Sequence, residues 1–423
     1  MNREMKHSGV PWLRDIPSNW NVERGKNVLV LQKRPVRESD EVVTCFRDGE
    51  VILRSLRRTE GFTMSDKEIG YQGINEGDIV IHGMDGFAGA MGVSKSTGKG
   101  SPVLVVCSPK YDAIPQYIIY YLRALAMTDV FIALATGIRE RSCDLRWNKI
   151  SELEFILPSS IEQQKIASFL DRKCSEIDEM IALQEKIVEE LKAYKQSVIT
   201  EAVTKGLNPD VPMKDSEIEW IGEIPEHWNI DKIIRSFGLI GSGTTPKSTD
   251  EDNFIGNIRW IQSGDINGGV MTECKNRISE KTLHTTSALK IYNPPFIIIA
   301  MYGASVGNTS ISMIDGCVNQ ACCVLSESHL NLEYSFNVIK SCKDFWIRKA
   351  VGGGQPNISQ DTIKSTWIPI PPKEEQEQIA SYLNTKCTEI DNLISIKLSK
   401  IDSLKEYKKS IIYEYVTGKK EVI

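Results

Sequence analysis

The chain has 423 residues, with 51 Lys and Arg against 56 Asp and Glu and a formal net charge of −5. That length has room for two to four domains, each with its own core; 41% apolar and 25% charged residues exclude the disordered and fibrous classes. No apolar run approaches the roughly 18 residues of a membrane helix, and the best, Phe296–Ala300, suits a buried strand. The opening residues Met1 to His7 hold no apolar signal core, so the expected location is the cytoplasm and the ten cysteines are expected as reduced thiols. With no CxxC pair and only five His, no metal site is expected. The net acidity argues mildly against binding DNA by bulk charge.

Taken in chain order, a first segment, 1–20, carries Trp12, Ile16-Pro17 and Trp20. A first head, 21–158, alternates short β-type runs such as Gly77–Ile81 with Gly, Asn and Ser turns, and holds a helical stretch, Gln116–Ala126. Residues 159–206 predict one long helix. Leu170, Ile177, Leu191 and Val198 fall on a seven-residue repeat, with Met180, Ile187 and Tyr194 assigned to the second seam position. Ser160 and Gln163 have capping-box spacing, and Gly206 and Pro209 stop the helix.

The pattern then starts again. A linker, 207–228, repeats the first segment as Trp220, Ile224-Pro225 and Trp228; a second head, 229–371, has a strand at Phe296–Ile299 and a helical stretch at Tyr334–Ile347. A second helix, 372–418, opens behind Pro371-Pro372 and repeats the seam with Leu383, Ile390, Leu404 and Ile411, then Leu393 and Tyr407. Gln184 and Lys397 interrupt both seams at the same repeat position. Residues 150–206 align without a gap on 363–419, Glu162-Gln163 and Ile166-Ala167-Ser168 matching Glu375-Gln376 and Ile379-Ala380-Ser381. The chain is an internal duplication. Its two heads resemble each other only faintly, with Met84-x-Gly86 paralleling Met301-x-Gly303.

Those helix starts, Pro158…Glu162-Gln163…Ile166-Ala167-Ser168…Leu170 and Pro371-Pro372…Glu375-Gln376…Ile379-Ala380-Ser381…Leu383, resemble the conserved helical regions in the DNA-specificity (S) subunit of type I restriction–modification systems. Gly243-Thr244-Thr245-Pro246-Lys247…Ile258-Arg259-Trp260-Ile261…Gly264-Asp265-Ile266 is similar to the opening of a common class of that family's target recognition domain, and Gly353-Gly354-Gln355-Pro356-Asn357-Ile358 to another family feature. The first head lacks the Thr-Pro-Lys segment and reads as a different recognition class. The resemblance implies an α+β fold: two globular target recognition domains joined by two long antiparallel coiled-coil helices, related by a pseudo-twofold internal duplication. It implies that each head reads one half of a split, asymmetric target in double-stranded DNA. Two modification subunits would dock on the helices and carry S-adenosylmethionine. Restriction subunits using ATP and Mg can join that core. No cofactor is expected on this chain, no catalytic residue, and no membrane.

Candidate DNA contacts follow from residue type. In the first head they are the basic run Lys33, Arg34, Arg37, Arg54, Arg57 and Arg58, and the cluster Arg139, Arg141 and Arg146; arginine can fork onto guanine or hold phosphates. The competing reading is a solvated strand face with local ion pairs. In the second head, Thr244, Thr245 and Lys247 lie in a Gly-rich loop suited to a phosphate or base edge, and the amides Gln355 and Asn357 can pair with adenine; a structural turn is the plainer reading of the last two. Trp12, Trp20, Trp220 and Trp228 read as packing anchors.

Two other functions are open to the sequence. Asn293-Pro294-Pro295-Phe296 matches the catalytic tetrapeptide of adenine amino-methyltransferases, in which the aromatic ring stacks on a flipped base. Against a self-contained enzyme stand the small head, glycines that lead into Thr-Thr-Pro-Lys, and the plain turn Asn75-Glu76-Gly77-Asp78 at the duplicate position. A coiled-coil scaffold that never touches DNA is the third reading.

Overall fold

The computed structural model describes residues 3–57, 69–133, 145–350 and 356–422. It divides into two compact units, Met1–Glu185 with Leu398–Ile423, and Lys186–Lys397. The first unit centres on an antiparallel sheet of β1 (Leu29–Leu31), β2 (Ile79–His82), β3 (Met91–Val93) and β4 (Leu104–Pro109), in the order β1-β4-β2-β3. Helix α1 (Pro115–Met127) follows, its Pro at the first turn, where no donor is lost. The second unit repeats the plan with β5 (Phe237–Gly241), β6 (Val270–Met271), β7 (Phe296–Ala300), β8 (Thr309–Ser312) and β9 (Cys322–Ser328), ordered β5-β9-β7-β8-β6. The extra edge strand β6 pairs parallel to β8. The predicted helix at Tyr334–Ile347 is two helices, α2 (Leu332–Ser341) and Lys343–Lys349, broken at Cys342.

The ladders align the heads better than the sequence does. β2 pairs His82 with Leu104, and β7 pairs Ala300 with Cys322. The next residue, Gly83 or Met301, then donates its N–H to Val103 or Ala321 and accepts from Leu145 or Ile358. Gly83, and not Met84, is thus the counterpart of Met301, and Met84 stands where Tyr302 does. The first head holds one more residue before its 3₁₀ turn, Gly86–Ala88 against Gly303–Ser305, which produces the misleading match of Met84-x-Gly86.

The long helices are α3 (Ser160–Lys205) and α4 (Lys373–Val416). Within the first unit they run in opposite directions, since Phe169 stacks on Tyr415 at 4.5 Å while Asp178 pairs with Lys408 at 2.6 Å. The second unit contains the duplicate of that ion pair, Lys195 with Asp391, also at 2.6 Å. The seam along α3 runs through the buried and half-buried positions Leu170, Cys174, Ile177, Ile181, Gln184, Val188, Leu191, Lys195 and Val198, alternating four and three residues apart, and Ile187 beside it is half-buried as well. The duplicate is Leu383, Cys387, Ile390, Ile394, Lys397, Ile401, Leu404, Lys408 and Ile411. The second seam position therefore lies four residues after the first, not three, and Met180, Tyr194, Leu393 and Tyr407 stand in solvent.

The helix starts are built alike and differ from the predicted capping box. Ser159, one residue earlier than expected, accepts the N–H of Glu162 at 3.4 Å. Gln163 instead ties the helix to its head, accepting the N–H of Ile114 at 2.9 Å and donating to the carbonyl of Pro158 at 2.9 Å. Gln376 makes the same two bonds to Asn331 and Pro371. At the far ends, Gly206 and Gly418 both take φ of +74°, the left-handed stop that glycine adopts freely. Trp20 and Trp228 are fully buried, and Trp12 and Trp220 pack on the edges of the two main cores, as anchors should. Among the described residues nine cysteines are free thiols, and burial pushes Cys45 and Cys107 up to about 12. No described helix is long and apolar enough to cross a membrane.

Candidate nucleic-acid interface

Strands β2 and β7 both end in loops that bring exposed polar side chains together. In the first unit, the turn after β2 is set by His82, whose Nδ1 accepts the backbone N–H of Asp85 at 3.0 Å. Burial, aided by the charge of Arg47, holds the imidazole below its ordinary value against the opposing pull of Asp85, so it is neutral and able to accept. The turn aims Asp85 at Arg47, which donates from Nη2 to Oδ1 at 2.9 Å and keeps a 70% exposed side chain. Met84 lies beside them, 65% exposed.

The predicted basic run does not form one cationic face. Arg34 grips the buried carboxylate of Asp78 through both Nη atoms, and Asp78 also accepts the N–H of Asn75 at 2.7 Å. Arg57 is held by Asp48 and by Glu50, the latter at 3.0 Å, with its guanidinium 4.2 Å from the ring of Phe46. The hydrogen bond from Arg57 keeps the Asp48 carboxyl below its ordinary range. Arg54 donates from Nε to the hydroxyl of Thr44 at 3.1 Å. Lys33 and Arg37 are exposed. For Arg34 and Arg57 the ion-pair reading therefore describes what the fold does: their charge is spent inside the head, that of Arg34 on an acid 44 residues away and that of Arg57 on acids nine and seven residues away. Arg58, Arg139, Arg141 and Gln355 lie outside the described residues.

In the second unit the Gly-rich loop crosses the short strand Cys317–Val318. A Cβ on Gly243 would sit 1.7 Å from the carbonyl oxygen of Val318, so only glycine allows the crossing. Thr244 accepts the indole N–H of Trp260 on its carbonyl at 3.3 Å, and the hydroxyl of Thr245 donates to Gln320 Oε1 at 2.5 Å. Lys247 is exposed, and its carbonyl accepts from Asn253. Around the end of β7, Ala321 accepts the N–H of Met301 at 2.7 Å. Asn357 bridges Tyr302 through the backbone and is itself exposed. The fold thus gathers Thr245, Gln320, Tyr302 and Asn357 at one sheet end. Residue type alone does not single out Gln320, Tyr302, Arg47 or Asp85, although Asn319-Gln320 between two strand-like runs is a turn with an amide at its tip.

The methyltransferase tetrapeptide fails on geometry. Phe296, the residue that would stack on a base, is fully buried as the first residue of β7 and packs 5.9 Å from Tyr292. Among the described residues no group of three or more His, Cys, Asp or Glu side chains is arranged to hold a metal ion.

Residues 225–418 match the family model described as the type I restriction modification DNA specificity domain. Over the whole length, the chain is similar to a putative type I restriction enzyme MjaX specificity subunit of Methanocaldococcus jannaschii, 25% identical over 96% of this chain and 94% of that protein. It is similar to the MjaVIII specificity subunit of the same organism, 24% identical over 96% and 93%. Among solved structures, a chain from a type I R-M system, studied for complex assembly and conformational transition, superposes with a TM-score of 0.72 at 17% identity, over 95% of this chain and 99% of that one. The HsdS subunit from Thermoanaerobacter tengcongensis gives 0.53 at 17% identity, over 95% and 98%.

Proposed function

We infer function from kinship: this chain belongs to the family of type I restriction–modification DNA-specificity subunits, non-catalytic components that recognise the DNA target. The observation that carries the finer reading is the pair of sheet ends. One backbone frame, Gly83 or Met301 held between the same neighbours, presents different side chains in the two heads. A frame kept constant under divergent loops suits two recognition domains, each reading one half of a bipartite, asymmetric target. The helices act as a coiled-coil ruler: a helix of 46 residues is about 69 Å long at roughly 1.5 Å per residue, and its length becomes a spacer length in the DNA.

Docking of the modification subunits on the helices is supported by what the seam leaves out. The first unit exposes Met180, Leu183 and Tyr407; the second exposes the duplicates Leu393, Ile396 and Tyr194. Apolar groups repeated at matching positions outside the seam mark a surface that a partner covers. S-adenosylmethionine belongs in those partners, and ATP and Mg in a restriction subunit. The heads are nearly neutral in sequence, the acidity being concentrated in the linker, where 209–228 holds one Lys against six acids. Affinity for DNA that depends on released counterions is therefore weak for the chain alone, and tight only once the modification subunits close around the duplex.

The test is head exchange. Replacing 229–370 with another member's second head, in the complex with its modification subunits, changes one half of the methylated site and leaves the other. Lengthening both helices by equal heptads changes only the spacer. Movement of both half-sites in either experiment would refute the modular reading. Methyl transfer by the chain alone, lost in Asn293→Ala, would refute the non-catalytic one.

A further inference from the structure

Arg47 and Gln320 share an unusual state among the polar side chains of the two sheet ends. Each is exposed and steered by one partner from its own head, yet each keeps most of its hydrogen-bonding capacity unspent. The guanidinium of Arg47 gives one N–H to Asp85, whose turn is fixed by His82, and four of its five N–H groups remain for a ligand. The carboxamide of Gln320 accepts the Thr245 hydroxyl on Oε1, which fixes which end of the amide is which. One lone pair of Oε1 and both N–H groups stay available. Arg34 and Arg57 differ, because two contacts to carboxylates commit each of them within the head.

We propose that Arg47 and Gln320 are base-reading side chains, Arg47 for a guanine in one half of the target and Gln320 for an adenine in the other. The proposal rests on the DNA-specificity reading above and deepens it. A fork of N–H donors fits the O6 and N7 acceptors of guanine in the major groove, and an acceptor beside a donor fits N6 and N7 of adenine. Asp85 and Thr245 are positioning residues. They hold each reader in its binding geometry before DNA arrives, which lowers the ordering cost of recognition. The heads also differ chemically at this place: by the ladder, the counterpart of Gln320 is Pro102, which has no side-chain donor or acceptor.

The experiment uses the full chain assembled with its modification subunits, methylating a randomised DNA library that is then sequenced for methylated sites. Arg47→Ala relaxes discrimination at one G·C position in one half-site by roughly 10- to 100-fold, and Gln320→Ala does so at one A·T position in the other. Arg47→Lys keeps the charge but not the fork, and relaxes the same position. Thr245→Val relaxes the Gln320 position more weakly. If Arg47→Ala or Gln320→Ala leaves the motif unchanged, or lowers methylation equally at all sequences as a phosphate contact would, the proposal is wrong for that residue while the family reading survives. Should the alanine variant not assemble, Arg47→Lys and Gln320→Glu decide the matter by the same readout. A wild-type complex indifferent to sequence would instead overturn the DNA-specificity reading itself.

Discussion

Trp20 donates its indole N–H to Glu162 at 3.0 Å, joining the amino-terminal segment to the start of a helix 142 residues away in sequence. Trp228 repeats the bond to Glu375 at 2.9 Å, so the fold preserves this joint in both halves. The second partner of each carboxylate differs: Arg3 in the first unit and His227 in the second, the latter at 2.7 Å. Trp20→Phe or Trp228→Phe removes the N–H and keeps most of the ring. Each lowers stability by about 1.5–3 kcal/mol, the usual effect of losing a hydrogen bond to a charged group. Urea unfolding of the chain measures it, and a loss under about 0.3 kcal/mol would mean the ring alone holds the joint.

The two helix-stop glycines differ in how much room they have. A Cβ on Gly418 would lie 2.4 Å from Cδ of Pro17, while one on Gly206 would lie 3.1 Å from the Trp228 ring. Both alanines are strained at φ +74°, by about 1 kcal/mol. Gly418→Ala adds a collision with a rigid ring and destabilises by about 1 kcal/mol more than Gly206→Ala. Equal melting temperatures for the two variants would contradict this ordering.

Acid should act selectively on the turn that holds Arg47. Because His82 titrates lower in the fold than in the unfolded chain, the folded state binds fewer protons as pH drops. The contribution is complete above the ordinary value of about 6.5 and is lost as pH falls below it. Thermal melts at pH 7.5 and 5.5 should show a larger fall for the wild type than for His82→Gln. A variant that loses as much as the wild type would mean that His82 plays no part in the acid response.

Substituting the solvent-facing apolar positions of the helices should separate assembly from folding. Leu183→Glu combined with Ile396→Glu leaves the melting temperature within a degree or two, since surface changes away from packed groups shift stability little. Copurification with the modification subunits falls sharply. Retained copurification would direct the search for the docking surface away from these positions.

The duplication and the long helices are legible in the sequence because they rest on local signals: a seven-residue period, Glu-Gln at both helix starts, and Gly at both ends. The periodicity places the second seam position one residue out because Met180, Tyr194, Leu393 and Tyr407 offer apolar side chains as good as those of the true seam. The residues that do face inward include Gln184, Lys195 and Lys408, which no hydropathy pattern selects. Recognition is less legible still. The charge of Arg34 is cancelled by Asp78, 44 residues on, and Gln320 acquires its posture from Thr245, 75 residues back. Pairings of that range are decided by sheet topology and by a glycine crossing, and residue type alone carries no trace of them.

The division of the chain also orders its own synthesis. The second unit is continuous, Lys186–Lys397, and has all its core residues as soon as that stretch leaves the ribosome. The first unit, though its head precedes the second, lacks Ile411, Ile412 and Val416 from its core until that stretch of α4 is made. The amino-terminal head must therefore wait, incompletely packed, through the translation of everything between. A premature stop before Ile411 would strike the earlier-made head and spare the later one.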